Sequence, residues 1–412
     1  MFVAPDCPSR AWWGLCEAVP VDVTDAVRAA LGRLDEAAAL GAVVDRDDES
    51  AIAQAGLLER EVPRRPWAGR TVTVKDWIDV EGFACEGEMP ERTGRRPNRD
   101  ATAVARLRAA GAIVIAKTQP GWDHPIHGRC HHPLDLRRTP GASSSGEGAL
   151  IGAGASTLGL GSDSGGSIRL PAAWCGVFGF KPSFGLVPTT GHFPRVGGRN
   201  DGRTVIGPMA SSVADLVATM RVIAGPDGVD PDCAPVAFGE ADAVSISGLR
   251  VAVVGIGGSW PVVPSTASAV ERAVSALSDM GAELVEGAVP DHLEESLDIT
   301  RRYWSRAQLT GADADRQLTD WDRFSSRLLR ASADFDVVVG PTVADVAPLA
   351  RDVTGDDFVF TLPWSLTGWP ALSMPMGLDP TTGLPLAVQI AAPQWSDHVV
   401  LAVAAALEAR RR

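Results

Sequence analysis

Residues 140–183 read PGASSSGEGALIGAGASTLGLGSDSGGSIRLPAAWCGVFGFKPS. Gly, Ser and Ala dominate the first part of this run, yet Ala149, Leu150, Ile151 and Ala153 predict a helix and residues 158–161 a strand. A second Gly-Ser turn, made by Ser164, Gly165, Gly166 and Ser167, leads into a following helix. Its glycines let a ligand approach the backbone closely.

Outward from this run the alternation of helix and strand continues. Residues 22–40 carry Val23, Val27, Ala30, Leu31 and Leu34 at a helical period, with Gly41 as the stop. Residues 71–80, TVTVKDWIDV, are rich in β-branched side chains and alternate, which predicts a strand with Lys75 at or near its end. Asp100 is suited to cap a helix bearing Val104 and Leu107, Gly111 ends that helix, and residues 112–116 suit a buried strand. A second strand-helix-strand unit spans 249–254, 265–280 and 282–285. Residues 335–339 form a further strand before Gly340-Pro341. Residues 371–376 and 386–390, joined by turn-forming residues 379–383, predict a hairpin, and a last helix from 397 ends in three arginines that suit its dipole. The pattern is α/β with parallel strands. Residues 225–247, rich in Asp, Pro and Gly, read as a surface loop or sub-lobe boundary inside one domain covering residues 1–412.

Hydrophobic residues make up 45% of the 412 and charged residues 22%, the balance of a globular chain and not of a disordered one. With 38 basic against 51 acidic residues the net charge is −13, which repels phosphate backbones and anionic lipid heads, so neither nucleic acid nor a membrane is expected as a partner. The first residues lack a basic region followed by an apolar one, and the longest clean apolar run near the C-terminus, 399–407, falls far short of the ~20 residues that span a bilayer. A cytoplasmic location is expected. Cys7, Cys16, Cys85, Cys130, Cys175 and Cys233 show no C-x-x-C spacing and read as free thiols. Among the 38 basic residues only Lys75, Lys117 and Lys181 are lysines. A lysine kept against such a bias points to a position that needs an amine able to lose its proton, which arginine cannot supply.

Three features of the opening run resemble the amidase signature family: the Ser-Ser-Gly-rich turn at 141–146, the Asp-x-Gly-Gly-Ser-x-Arg run at 163–169, and Cys-Gly-x-x-Gly-x-Lys-Pro at 175–182. The resemblance extends to VKDWIDVEG at 74–82, GPMASSVADL at 207–216 and LTGWPALSMPMG at 366–377, and covers roughly residues 22–405. It implies a central mixed β-sheet flanked by helices on both faces. It also implies a Ser–cisSer–Lys triad that hydrolyses amides, here Ser167 as nucleophile, Ser143 as relay and Lys75 as base. Ser143 is chosen over Ser144 and Ser145 by aligning the serine pair and the Gly-Glu that follows. The turn departs from the commoner Gly-Gly-Ser-Ser-Gly-Gly in having Ala142 and Ser145.

The residues themselves suit this chemistry. A serine hydroxyl attacks poorly unless a base removes its proton, and an exposed lysine is protonated at neutral pH. Burial disfavours the ammonium form, so Lys75 on a buried strand end can serve as a neutral base through Ser143. The consecutive backbone N–H groups of Ser164, Gly165, Gly166 and Ser167 can stabilise an oxyanion. The function expected is a cofactor-independent hydrolase of carbon–nitrogen bonds other than peptide bonds, releasing ammonia or an amine from a small carboxamide or related acyl substrate through an acyl-enzyme. Alternatives are a carbamate or ester hydrolase with the same triad, the glutaminase-type subunit of a tRNA-dependent amidotransferase, and a catalytically silent scaffold. The chain is expected to act on a small-molecule substrate, and a homodimer is an assembly considered for it.

Trp77 and Trp174 flank the motifs, and Trp122, Trp364 and Trp369 are read as reaching the same pocket, which hints at an apolar or aromatic acyl group; core packing explains them equally well. Other features have plainer readings. His124, His127, Cys130, His131 and His132 fit no zinc spacing, and without a G-x-S-x-G elbow they do not complete a Ser-His-Asp site, so no metal is expected. Asp163 and Arg169 suit an ion pair bracing the loop, Cys175 a buried apolar role, and Lys117 and Lys181 structural roles. The sequence Gly255-Ile256-Gly257-Gly258-Ser259-Trp260 mimics a dinucleotide loop but places Trp260 where the third glycine belongs.

Overall fold

A computed structural model describes residues 22–121, 123–194, 201–256, 258, 260–289, 292–351 and 353–411. Its first strands are β1 (Val43–Asp45), β2 (Thr71–Lys75), β3 (Ile113–Thr118), β4 (Asp123–His124), β5 (Gly128–Arg129), β6 (Leu158–Asp163) and β7 (Phe178–Lys181). Then follow β8 (Val205–Ala210), β9 (Arg250–Val253), β10 (Glu283–Val285), β11 (Val337–Pro341), β12 (Ala371–Leu378) and β13 (Pro385–Ala391). β4 and β5 pair with each other; the others form one eleven-stranded sheet in the order β1-β3-β2-β6-β8-β7-β12-β13-β11-β9-β10. β2 runs parallel to β3 and β6, and β9 parallel to β10 and β11, while the remaining pairs are antiparallel. The sheet is therefore mixed, as the resemblance implied.

The helices are α1 (Val23–Glu36), α2 (Asp48–Arg60), α3 (Thr102–Ala110), α4 (Ser145–Gly152), α5 (Arg169–Cys175) and α6 (Val213–Ile223). The chain continues through α7 (Pro264–Asp279), α8 (Leu293–Trp304), α9 (Ala312–Ala331), α10 (Leu362–Leu366) and α11 (Asp397–Arg410). Because side chains alternate along a strand, each strand feeds two cores. Val72, Val74, Val114, Val251, Val337, Val339 and Ile390 pack in one cluster with α3, α6, α7 and α11. Their neighbours point the other way: Ile113 and Ile115 pack with α1, α2 and α4, and Ala252, Val338 and Ala391 with α9 and α10. Both faces are covered, which is why the strands read as nearly continuous apolar runs.

Most boundaries match the sequence reading. α1 is capped by Asp22, which accepts from Asp25 N at 2.7 Å, and Gly41 takes the left-handed φ of +60° after a short 3-10 turn. The predicted hairpin is β12–β13, with Asp379 Oδ1 accepting from the N–H groups of Thr381 and Thr382 in its turn. Residues 225–247 hold a single short 3-10 turn and no strand. The capping role expected of Asp100 is not found. Ala101 is the N-cap residue, and the Asp100 carboxylate instead accepts from Glu81 N at 2.8 Å and from Arg108 at 2.8 and 3.0 Å. Both carboxylate oxygens are thus engaged elsewhere, the Arg108 pair being the stronger because it is charge-assisted. Among the described residues no helix is long and apolar enough to cross a membrane.

Candidate active site

Val72 and Val74 of β2 enter the first core, so Thr73 and Lys75 face the opposite side, where α4 and α5 lie. Lys75 ends the strand and is fully buried. Its Nζ donates to Ser143 Oγ at 2.7 Å and to Ser162 Oγ at 3.0 Å, and stands 4.1 Å from the centre of the Trp77 ring. Burial pulls its pKa down to about 7, although Glu88, Asp163 and Glu147 each favour the charged form. Desolvation wins over those attractions, as expected for an amine shut away from water.

The three consecutive serines before and at the start of α4 do different things. Ser145 Oγ donates to Ala142 O at 2.6 Å, and Ser144 Oγ donates to Ser162 O at 3.3 Å. Of the three, Ser143 is the one bonded to Lys75. The cis peptide implied at the relay serine is not present: among the described residues the cis bonds are Val62–Pro63 and Phe193–Pro194. A cis bond without proline is costly, and the trans chain here already carries Ser143 Oγ to the lysine. Behind the turn, Glu147 is fully buried and accepts from Thr73 Oγ1 at 2.5 Å and Thr118 Oγ1 at 2.7 Å. Burial raises its pKa to about 7. The approach of α4 to β6 needs Gly159, since a Cβ there would lie 1.8 Å from Glu147 Oε2.

The second turn joins β6 to α5. The Asp163 carboxylate accepts from Arg169 Nε and Nη2, each at 3.0 Å, and from Ile168 N at 3.1 Å. Arg169 also donates to Thr361 O, Gln389 Oε1 and Ser365 Oγ, all at 2.8 Å. Both charges are fully buried, and this nearly complete set of partners is what makes that tolerable. The pair fixes both ends of the loop, as the sequence suggested. Between them, the N–H groups of Ser164, Gly165, Gly166 and Ser167 donate to no protein acceptor among the described residues. Gly166, at φ +142°, is required: a Cβ there would meet Thr361 Oγ1 at 2.3 Å.

Ser143, Ser162, Ser164, Gly165 and Ser167 line one side of a cavity of about 530 Å³. Trp77, Tyr303, Trp304 and Phe358 supply aromatic surface, and Glu88, Asp201 and Arg306 supply charge. Of the five tryptophans expected here, Trp122 lies outside the described residues, and of the other four only Trp77 lines the cavity. Trp174 is buried against Leu170 and Ala173 and donates to Asp345 O, while Trp364 and Trp369 stack on each other at 5.7 Å in the core under α9. Core packing claimed them because they lie on inward faces of α5 and α10 or beside them. Tyr303, Trp304 and Phe358 were missed because they lie outside every motif; for the first two, the last turn of the amphipathic α8 was the available signal.

The remaining polar groups have separate duties. His124 Nδ1 accepts from Ile126 N, His127 Nε2 pairs with Glu86 at 2.8 Å, His131 with Leu136 O and His132 with Trp174 O. Among the described residues no group of His, Cys, Asp and Glu is arranged to hold a metal ion. Lys117 donates to Ile78 O at 2.5 Å and Lys181 to Trp369 O at 2.7 Å, so both tie backbone carbonyls. Cys175 Sγ donates to Pro140 O, and burial pushes its thiol pKa well up.

Known proteins give the context. The chain matches the Amidase family over residues 25–320 and 310–401. It is 30% identical to an acylamidase of Rhodococcus erythropolis, covering 90% of this chain and 88% of that one. It is also 30% identical to a component of the glutamyl-tRNA(Gln) amidotransferase of Deinococcus radiodurans, covering 92% of each. A solved protein from a vestigial complex, described in connection with the evolutionary origins of an s-triazine catabolic enzyme, superposes with a TM-score of 0.84 at 27% identity, covering 94% of this chain and 95% of that one. With that match across nearly the whole described length, the chain belongs to the amidase signature family and is a hydrolase acting on carbon–nitrogen bonds.

Proposed function

We propose that this hydrolase cleaves a small carboxamide through Ser167, Ser143 and Lys75, without a cofactor. The observation that carries the reading is a fully buried lysine amine 2.7 Å from Ser143 Oγ, with both serines on one cavity. Ser167 Oγ attacks the carbonyl carbon as its proton passes to Ser143 and the Ser143 proton passes to neutral Lys75. The oxyanion is met by the unengaged N–H groups of the 164–167 turn. Collapse breaks the C–N bond, the proton returns through Ser143 to the leaving nitrogen, and ammonia or an amine departs. Water then attacks the acyl-Ser167 ester by the same relay, releasing the acid and restoring the hydroxyl.

A serine-directed fluorophosphonate, followed by intact mass and peptide mapping, tests the assignment: one label on Ser167 is expected, and a label elsewhere overturns it. A panel of primary amides, anilides, carbamates and esters then ranks the leaving groups. The amidotransferase relative supports a second reading, a glutaminase-type component of such a complex. Its partners include tRNA, and a net charge of −13 works against that role. Glutamine hydrolysis that emerges only on adding the other components would favour it.

A further inference from the structure

The proposed reaction uses hydroxyls and an amine and leaves one carboxylate in the cavity without a task. Glu88 lies in the loop after β2 with a left-handed backbone, φ +64°, which residues bearing a Cβ rarely adopt. Its surroundings enforce that conformation. The Asp76 carboxylate accepts from Glu86 N at 3.0 Å and from Gly87 N at 2.6 Å. Room for the carboxyl is kept by Gly121, where a Cβ would stand 2.6 Å from Glu88 Oε1. Among the described residues no donor is hydrogen-bonded to that carboxyl. Asp201, the other carboxylate at the cavity, differs: it accepts from Arg203 N, Thr204 N and Thr204 Oγ1.

We infer that Glu88 is a specificity-determining residue whose carboxylate selects amides carrying a protonated amine. This rests on the reading above for where the scissile carbonyl lies. Trp304 lines the same cavity, and aromatic faces attract cations; the Trp77 ring already meets Lys75 Nζ, and the Tyr303 ring already meets Arg203 at 3.9 Å as well as Arg306. A neutral substrate would cover the carboxylate without replacing its water, whereas an ammonium supplies both charge and donors. The Arg306 guanidinium does not occupy this role: it is exposed, lies over the Tyr303 ring at 4.0 Å, and donates to Tyr303 O. Burial already holds the Glu88 pKa up at about 7, and Glu88 is first among the groups that favour protonated Lys75. A bound ammonium therefore stabilises ionised Glu88 while offsetting its pull on the lysine.

The test measures binding by calorimetry to the full chain carrying Ser167→Ala, so that nothing is turned over. The probes are γ-aminobutyranilide against pentananilide, with the cation on the acyl side, and N-(ω-aminobutyl)acetamide against N-pentylacetamide, with it on the leaving amine. At least one ammonium-bearing amide should bind about tenfold more tightly than its neutral isostere, a preference lost when Glu88→Gln is added. Glu88→Gly, which suits the left-handed backbone, should lose it too. Equal binding within both pairs, no detectable binding, or a preference that survives in both Glu88 variants overturns the inference. Fluorophosphonate labelling separates the two claims: labelled Ser167 without cation preference removes only the role of Glu88, and label elsewhere removes the catalytic assignment.

Discussion

Lys75 is the residue on which the proposed chemistry turns, and its environment sets a pH dependence. The neutral amine is the active form, so kcat/KM with a neutral amide should fall as pH drops below about 7, close to tenfold per unit. The charged or titratable groups acting on the amine are Glu88, Asp163 and Glu147, with His192 nearby held neutral by a pKa lowered to about 4. Glu88→Gln removes a carboxylate that favours the ammonium, and the acid limb should move to lower pH; an unmoved limb would show that the carboxylate does not act on the base. Lys75→Ala and Ser143→Ala should keep the wild-type circular dichroism spectrum and lose about 10²–10⁴-fold in turnover. Lys75→Arg should not rescue, since a guanidinium keeps its proton. Glu88→Gly should raise stability by about 1 kcal/mol by relieving the left-handed backbone, readable as a higher Tm. The lysine was legible in the sequence because lysine is so scarce there. Glu88 and Glu147 were not, because what buries or positions each carboxylate, Gly121 in one case and Thr73 and Thr118 in the other, lies elsewhere along the chain.

At the scale of elements, Glu147 bolts α4 to β2 and β3 through two threonine hydroxyls. Its folded pKa lies above the unfolded value, so the native state holds the proton longer, and stability is lost as pH rises from the ordinary carboxylate range to about 7. Glu147→Gln lacks this titration. By urea unfolding, the variant should therefore gain on the wild type between pH 5 and 8, by up to about 3 kcal/mol. A constant difference across that range would refute the assignment. Elements were the most legible level: alternation in TVTVK and the apolar spacing of α1 follow directly from which faces are buried. The tryptophans show where such reading stops. Periodicity says that a side chain faces inward, but not which side of the sheet it meets, and Trp364 and Trp369 face a core and not the cavity. Trp364→Ala should cost about 3–5 kcal/mol in the same urea experiment, with Ser167 still open to fluorophosphonate.

Across the whole molecule, the eleven strands form one continuous sheet although residues 225–247 cross between its parts without adding a strand. The chain is accordingly proposed to unfold as one domain, with near-ultraviolet dichroism and tryptophan fluorescence following a single coincident transition; two separated transitions would mean that the lobes melt independently. Lys75, Ser143 and Ser167 all precede that connector, whereas Tyr303, Trp304 and Phe358 come after it. Genetic exchange at the connector would thus replace the aromatic wall made by Tyr303, Trp304 and Phe358 while leaving Trp77, Glu88 and the bond-breaking apparatus untouched. Several joints limit the exchange: an incoming half must bring a strand to pair with β7 as β12 does, a carbonyl for Lys181 like Trp369 O, and acceptors equivalent to Thr361 O, Ser365 Oγ and Gln389 Oε1, or the donors of Arg169 that do not face Asp163 are left unpaired in the interior.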